Sequence, residues 1–285
     1  RRLPKYFYKN IYSMPDNFYG GLDFGTSGAR ISIINFNEKL VYSNSIPYLY
    51  SFKNPNSWIN ACEKLLGCLP IEVKSNLQKL AISGTSGTLT ASNLRGEPIG
   101  EAISYDQACN EHKILLESLT SGEDHLRTPY SSLAKALKLI DKYGTNILLR
   151  HQSDWITGWF LKDWTYGEEG NNLKLGWDLK KESWPKSYLN TSWQKCLPQI
   201  IKSGKIIGQV NFDLAERFNL NKKLILISGT TDSNASVIAA GLGKEDGLTV
   251  LGTTIVVKKI IDNPIKKQGI TNHRVNGNWI CGGAS

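Results

Sequence analysis

The sequence predicts an α/β protein built on a mixed sheet with helices on its faces, followed by the start of a second unit of the same kind. Three observations carry this expectation. Strand patterns follow one another at residues 19–23, 30–36 and 40–46, joined by turns at Gly25-Thr26-Ser27-Gly28 and Asn37-Glu38, which makes an antiparallel meander. Helical and strand patterns then alternate, as they do when helices cover a sheet. Near Leu224 a buried strand, a polar turn and a small-residue helix return, which suggests a duplicated, two-domain plan.

Each element has a local reason. The amphipathic pattern over residues 57–69 predicts a helix with Ser57 as its cap and Pro70 just past its end. A brief apolar run at 80–83 reads as a buried strand opening into Gly84-Thr85-Ser86-Gly87. The middle reads as helical at 106–119, 131–142 and 154–160, whereas 164–193 lacks a clear period and reads as loops with one short helix. Residues 224–227 form a strand, Gly229-Thr230-Thr231-Asp232-Ser233 a turn, and 234–241 a helix. Two hairpins follow, at 247–259 around Gly252-Thr253-Thr254 and at 270–281 around Asn276-Gly277. This divides the chain into a basic, aromatic extension (1–18), an N-terminal domain (19–222) and the opening of a second domain (223–285). No helices follow Gly282-Gly283-Ala284-Ser285 to cover the second sheet, so that domain is expected to be incomplete.

Composition narrows the function. The 285 residues are 40% hydrophobic and 21% charged, as in an ordinary globular chain. No apolar run is long enough to span a bilayer and no cleavable leader pattern opens the sequence, so a cytoplasmic protein is expected. Five scattered cysteines without a C-x-x-C pair argue against a disulfide framework or structural zinc, and the four histidines lack metal-ligand spacing. The net charge of +9 suits anionic partners, either nucleic acid or small phosphates. No basic stripe interleaved with aromatics and no nucleic-acid module is found, so no nucleic-acid partner is expected.

Three motifs could carry chemistry. Asp23 ends a strand, where a carboxylate can hold Mg²⁺, and Gly25, Thr26 and Ser27 can aim N–H and hydroxyl groups at phosphate oxygens. The same residues would equally make an ordinary hairpin turn. Asp232, between strand and helix, is either a helix N-cap or a base placed to accept the proton of an attacking hydroxyl. Gly252, Thr253 and Thr254 form a hairpin tip or a second phosphate turn. Together they are the parts that phosphoryl transfer needs: phosphate turns, a metal-holding carboxylate and a base.

Their order resembles that of the FGGY carbohydrate kinases. The opening Gly21-Leu22-Asp23-Phe24-Gly25-Thr26-Ser27-Gly28-Ala29-Arg30, then Asp154-Trp155, GNNLKLGWD at 170–178, Gly229–Ser233 and Leu251–Thr254 recur in the family's sequence. GNNLKLGWD and NHRVNGNWICGGAS are especially similar to the cyanobacterial and plastid D-ribulose and D-xylulose kinase-like proteins. The resemblance covers residues 19–285. It implies an actin-like ATPase (ribonuclease H-like) fold and ATP-dependent, Mg²⁺-assisted phosphorylation of a ketopentose at a terminal hydroxyl. Asp23 would hold Mg²⁺ and contact the sugar, Thr26 would face the transferring phosphate, and Ser86 would bond a sugar hydroxyl. Asp232 would be the general base, and Gly252 and Thr253 would cradle ATP phosphates. Gly282 and Gly283 would open the loop that approaches adenosine. Two departures stand out. The sugar-facing segment reads Tyr105-Asp106-Gln107-Ala108-Cys109 without the family's Arg, leaving Asp106 to keep part of that role. The family also continues into helices around adenine that this sequence lacks, so the alternative is a truncated, non-catalytic sugar-binding remnant.

Overall fold

A computed structural model describes residues 17–120, 124–251, 255–267 and 269–284. The strands β1 (Phe18–Phe24), β2 (Gly28–Asn35) and β3 (Leu40–Pro47) form the expected meander. Helices α1 (Pro55–Cys68) and α2 (Ile71–Asn76) lead into β4 (Leu77–Gly84), parallel to β1. A two-stranded sheet of β5 (Leu89–Ser92) and β6 (Leu148–His151) brackets α3 (Lys113–Leu119) and α4 (Ser132–Tyr143). Next come α5 (Gln152–Leu161), β7 (Tyr166–Glu168), α6 (Glu169–Asn172), β8 (Gln199–Ile201), β9 (Ile206–Gln209), α7 (Phe212–Phe218), β10 (Ile225–Thr231) and α8 (Asp232–Ala239). The described chain ends with β11 (Gly247–Leu251), β12 (Ile255–Ile261), β13 (Thr271–Val275) and β14 (Asn278–Ala284).

The main sheet has the order β3-β2-β1-β4-β10-β9, and the last four strands form a separate antiparallel sheet in the order β11-β12-β14-β13. Helix α1 buries Trp58, Ala61, Cys62, Leu65 and Leu66 against the first face. That spacing is one stripe of a 3.6-residue helix, and each large side chain contributes about 1.5–3 kcal/mol when buried. Helix α5 is buried from Gln152 through Phe160, so it is a rod inside the molecule rather than a surface helix. All five cysteines are free thiols. No helix among the described residues is long and apolar enough to cross a membrane.

Several expectations change. The first sixteen residues of the expected extension lie outside the described residues, but Phe18 already belongs to β1, paired with Asn35 and Leu77 and buried in the core. Asn54, not Ser57, caps α1: its side chain accepts from the N–H of Asn56, and Pro55 takes the first helical position, where its missing N–H is harmless. Only Lys113–Leu119 of the expected 106–119 helix is helical. β10 joins the main sheet between β4 and β9, so that sheet runs through Thr231, past the boundary expected after residue 222. A strand pattern that restarts after a helical stretch looks the same whether it opens a new sheet or completes an old one.

Gly229 shows how tightly β10 is seated. A Cβ there would lie 1.9 Å from the carbonyl oxygen of Ile82 on β4, at the irregularity between Ile227 and Thr230. Gly229→Ala is expected to destabilise the protein by about 2 kcal/mol or more in denaturant titration. Gly67→Ala, in α1 with nothing within 4 Å of the added carbon, should be neutral or stabilising by up to about 1 kcal/mol.

Candidate active site

The parallel pairing of β1, β4 and β10 brings three strand ends to one edge. Asp23 is opposite Ser83, Ser83 opposite Thr230, and Gly84 opposite Thr231. The carboxyl ends of parallel strands are the usual seat of ligands in α/β sheets. The Ser83 hydroxyl donates to Asp23 Oδ1 at 2.9 Å. One residue beyond β10, Asp232 opens α8. Thr231 is the cap of that helix, accepting from the N–H of Asn234 at 3.3 Å, so Asp232 is free of the capping role. Its carboxylate instead accepts from the N–H of Ser233 at 2.8 Å, with the Ser86 backbone close enough to favour the charged form. Burial raises the Asp232 pKa above the ordinary aspartate value, and the neighbouring Asp23 charge adds to this. The Ser233 and Ser86 N–H groups and the Lys174 ammonium pull it back. Asp23, Ser86 and Asp232 therefore share one edge.

Two glycine-containing turns face this edge. In the first, the Gly25 N–H bonds the Gly28 carbonyl at 3.0 Å, the Tyr48 hydroxyl donates to the Gly25 carbonyl at 2.9 Å, and Thr26 and Ser27 are exposed. In the second, the N–H and hydroxyl of Thr85 both donate to Gln152 Oε1 at 2.9 Å, which ties the turn to the start of α5. Lys135, fully buried on α4, donates to the carbonyls of Gly87 (2.8 Å), Tyr105 (3.1 Å) and Tyr130 (2.9 Å). Burial pushes its pKa down to about 8, with the nearby Lys174 charge adding to the effect. This ammonium sets the 105–106 loop beside the second turn. Asp106 lies in that loop, exposed and bonded by the Ser104 hydroxyl at 2.6 Å, which lowers its pKa.

The sequence reading missed three cations here. Lys174, in the GNNLKLGWD string, packs on Gly87 and donates to the Ser86 carbonyl at 3.3 Å. Lys258 on β12 reaches across to α8, donating to Ser233 Oγ at 2.9 Å and Asn234 Oδ1 at 2.6 Å, and burial lowers its pKa to about 8. Arg274 on β13 bonds the buried Glu169 of α6 at 2.6 Å and Glu182 at 2.9 Å. A lone lysine or arginine has no spacing signature, and only the fold reveals its partners.

Gly252, Thr253 and Thr254 lie outside the described residues. Gly282 and Gly283 do not open a loop; they lie inside β14, opposite Lys258 and Val257 of β12. Gly282 sits where a Cβ would come within 3.1 Å of the Val257 carbonyl, so the strand packs closely rather than ending. No cluster of three or more metal-ligating side chains occurs among the described residues. Mg²⁺ requires only one or two carboxylates beside water and phosphate oxygens, and the half-buried Asp23 suits that all-oxygen chemistry.

Known proteins share this fold. No family model matches the chain. It is 26% identical over 288 residues to a xylulose kinase of Lactococcus lactis, an alignment covering 90% of this chain and 56% of that protein. The structure superimposes on a xylulose kinase from Rhodospirillum rubrum with a TM-score of 0.81 at 18% identity, covering 94% of this chain and 60% of that one. A Plasmodium falciparum glycerol kinase with ADP gives a TM-score of 0.80 at 15% identity, covering 94% and 61%. In sequence and in fold the chain is similar to sugar kinases. Its fold is the actin-like ATPase fold of those kinases, and it spans less than two thirds of the length of each of these three relatives.

Lys135→Met would take the buried ammonium from three carbonyls, that of Gly87 buried and those of Tyr105 and Tyr130 part-buried, and release the second turn. It should lower stability by about 2–4 kcal/mol in denaturant titration, far more than removal of the exposed Lys244–Asp262 pair.

Proposed function

We propose that the chain carries the sugar-binding and proton-accepting half of an ATP-dependent ketopentose kinase acting on D-xylulose or D-ribulose. The observation that supports this reading most is the convergence of Asp23, Ser86 and Asp232 on one sheet edge, at or just beyond the ends of three strands that are far apart in sequence. Ser86 would bond a sugar hydroxyl, with Asp106 at the rim. Asp232 would take the proton of the terminal hydroxyl as its oxygen attacks the terminal phosphorus of ATP and ADP departs. Gly25, Thr26 and Ser27 would approach the phosphates, with Gly252, Thr253, Thr254, Gly282 and Gly283 on the nucleotide side. Bound Mg²⁺ would neutralise phosphate charge, and Asp23 is the residue to hold it. A base with a raised pKa is well matched to accepting a proton near neutral pH.

The test is ADP release from MgATP by the 285-residue chain, with and without D-xylulose or D-ribulose. Sugar-stimulated turnover supports the kinase. Sugar binding by calorimetry without turnover would favour the remnant, and no binding of either sugar would overturn the assignment of this site. Asp232→Asn should lower sugar-dependent turnover about a thousandfold, within the range of a general base.

The pH profile offers a second check. An aspartate with a raised pKa is protonated, and inactive as a base, until the pH climbs past that value. The acid limb of kcat/KM should thus lie above the ordinary aspartate range. Asp232 feels Asp23 from β1, Lys174 from the segment after α6, and Lys258 from β12. Lys174→Met removes a cation that favours the carboxylate, so the limb should move to higher pH; Lys174→Arg should leave it near wild type.

A further inference from the structure

A cleft of about 830 Å³ lies beside α5, away from the strand ends and within the size range of small-molecule sites. Trp155, Trp159 and Trp164 contribute its walls, and Arg150, Lys162 and Lys195 line it. The Trp164 ring is locked in place. A Cβ on either Gly96 or Gly158 would lie 2.3 Å from it, and its indole N–H donates to the Trp155 carbonyl at 3.0 Å.

Arg150 is the unusual group. It is 2% exposed, and its Nε and Nη1 donate to the carbonyls of Trp164, Leu149 and Cys196. Its Nη2 makes no hydrogen bond among the described residues, and Asp154 and Asp163 favour its charge from beyond ion-pair distance. A buried cation held at that distance from its carboxylates gains from a closer anion. Of the cleft's two carboxylates, Glu97 accepts from Asn93 at 2.6 Å and lies near Arg95, and Asp163 accepts from Thr165. Lys162 lies over the Trp159 ring, and neither Lys162 nor Lys195 forms an ion pair among the described residues. The cleft is thus a flat-walled space with an excess of positive charge, Arg95, Arg150, Lys162 and Lys195 against Glu97 and Asp163.

We propose that this cleft binds a small anion with a flat apolar body, an aromatic phosphate or carboxylate, with its anionic group on Arg150, Lys162 and Lys195 and its ring against the tryptophans. None of these residues belongs to the Asp23–Asp232 edge, so the site is independent of the kinase reading.

The probes are phenyl phosphate and benzoate, titrated against the full chain by tryptophan fluorescence and calorimetry. Benzyl alcohol serves as the neutral control. Saturable binding of either anion, but not of the alcohol, is expected, and the tighter one names the head group. Arg150 holds three backbone carbonyls, so its replacement risks the fold. The informative variant is the exposed pair Lys162→Glu with Lys195→Glu, which should weaken binding about fivefold or more while leaving the circular dichroism spectrum unchanged. Three results would each overturn the proposal: no saturable binding, equal affinity in the double variant, or displacement of the probe by MgATP or D-xylulose.

Discussion

The parallel register of β1, β4 and β10 is the constraint from which the rest of the site follows. Side chains alternate across a strand, so a slip of one residue in either pairing would turn Asp23 or Thr231 to the opposite face. The register is held from both sides. Leu22, Phe24, Leu80, Ile82 and Leu226 are buried in one core, and the closest approach of β10 to β4 admits only a glycine. With the strands so fixed, Asp232 cannot avoid the neighbourhood of Asp23, and its chemistry is set by that proximity and by burial.

The same edge is where the two sheets meet, and long cationic side chains make the junction. Lys258 reaches from β12 to the first turn of α8, and Arg274 reaches from β13 to α6. Each ends on groups that sit one or two residues from the strand ends or from their supporting loops. Charge-assisted bonds of this kind are stronger and more directional than apolar contact. The third apolar cluster is small by comparison, comprising Val237, Val275 and Ile280 with a few half-buried neighbours. Polar ties rather than a broad apolar seam therefore define how the second sheet meets the first.

Much of this was legible in the residues. The meander, the α4 helix and the Asn276-Gly277 turn, with φ of 50° and 79°, follow from local rules that tertiary contacts do not override. Asp23 and Asp232 were legible because each stands at a strand end beside a polar turn. Other features depend on partners far along the chain. The short strands β5 to β9 are too brief for a period, and β10 required knowledge of which sheet it would join. Lys135, Lys174 and Lys258 acquire their roles from carbonyls and carboxylates that are 24 to 88 residues away or set by the folding of distant loops.

Helix α5 is a mechanical member shared by two regions. Its first residue, Gln152, holds the Thr85 turn, and its later residues Trp155 and Trp159 wall the Arg150 cleft. The helix is buried along nearly its whole length, about 15 Å. The cleft and the Asp23–Asp232 edge therefore rest on one structural support, so a substitution inside this helix that loosens its packing disturbs both regions together.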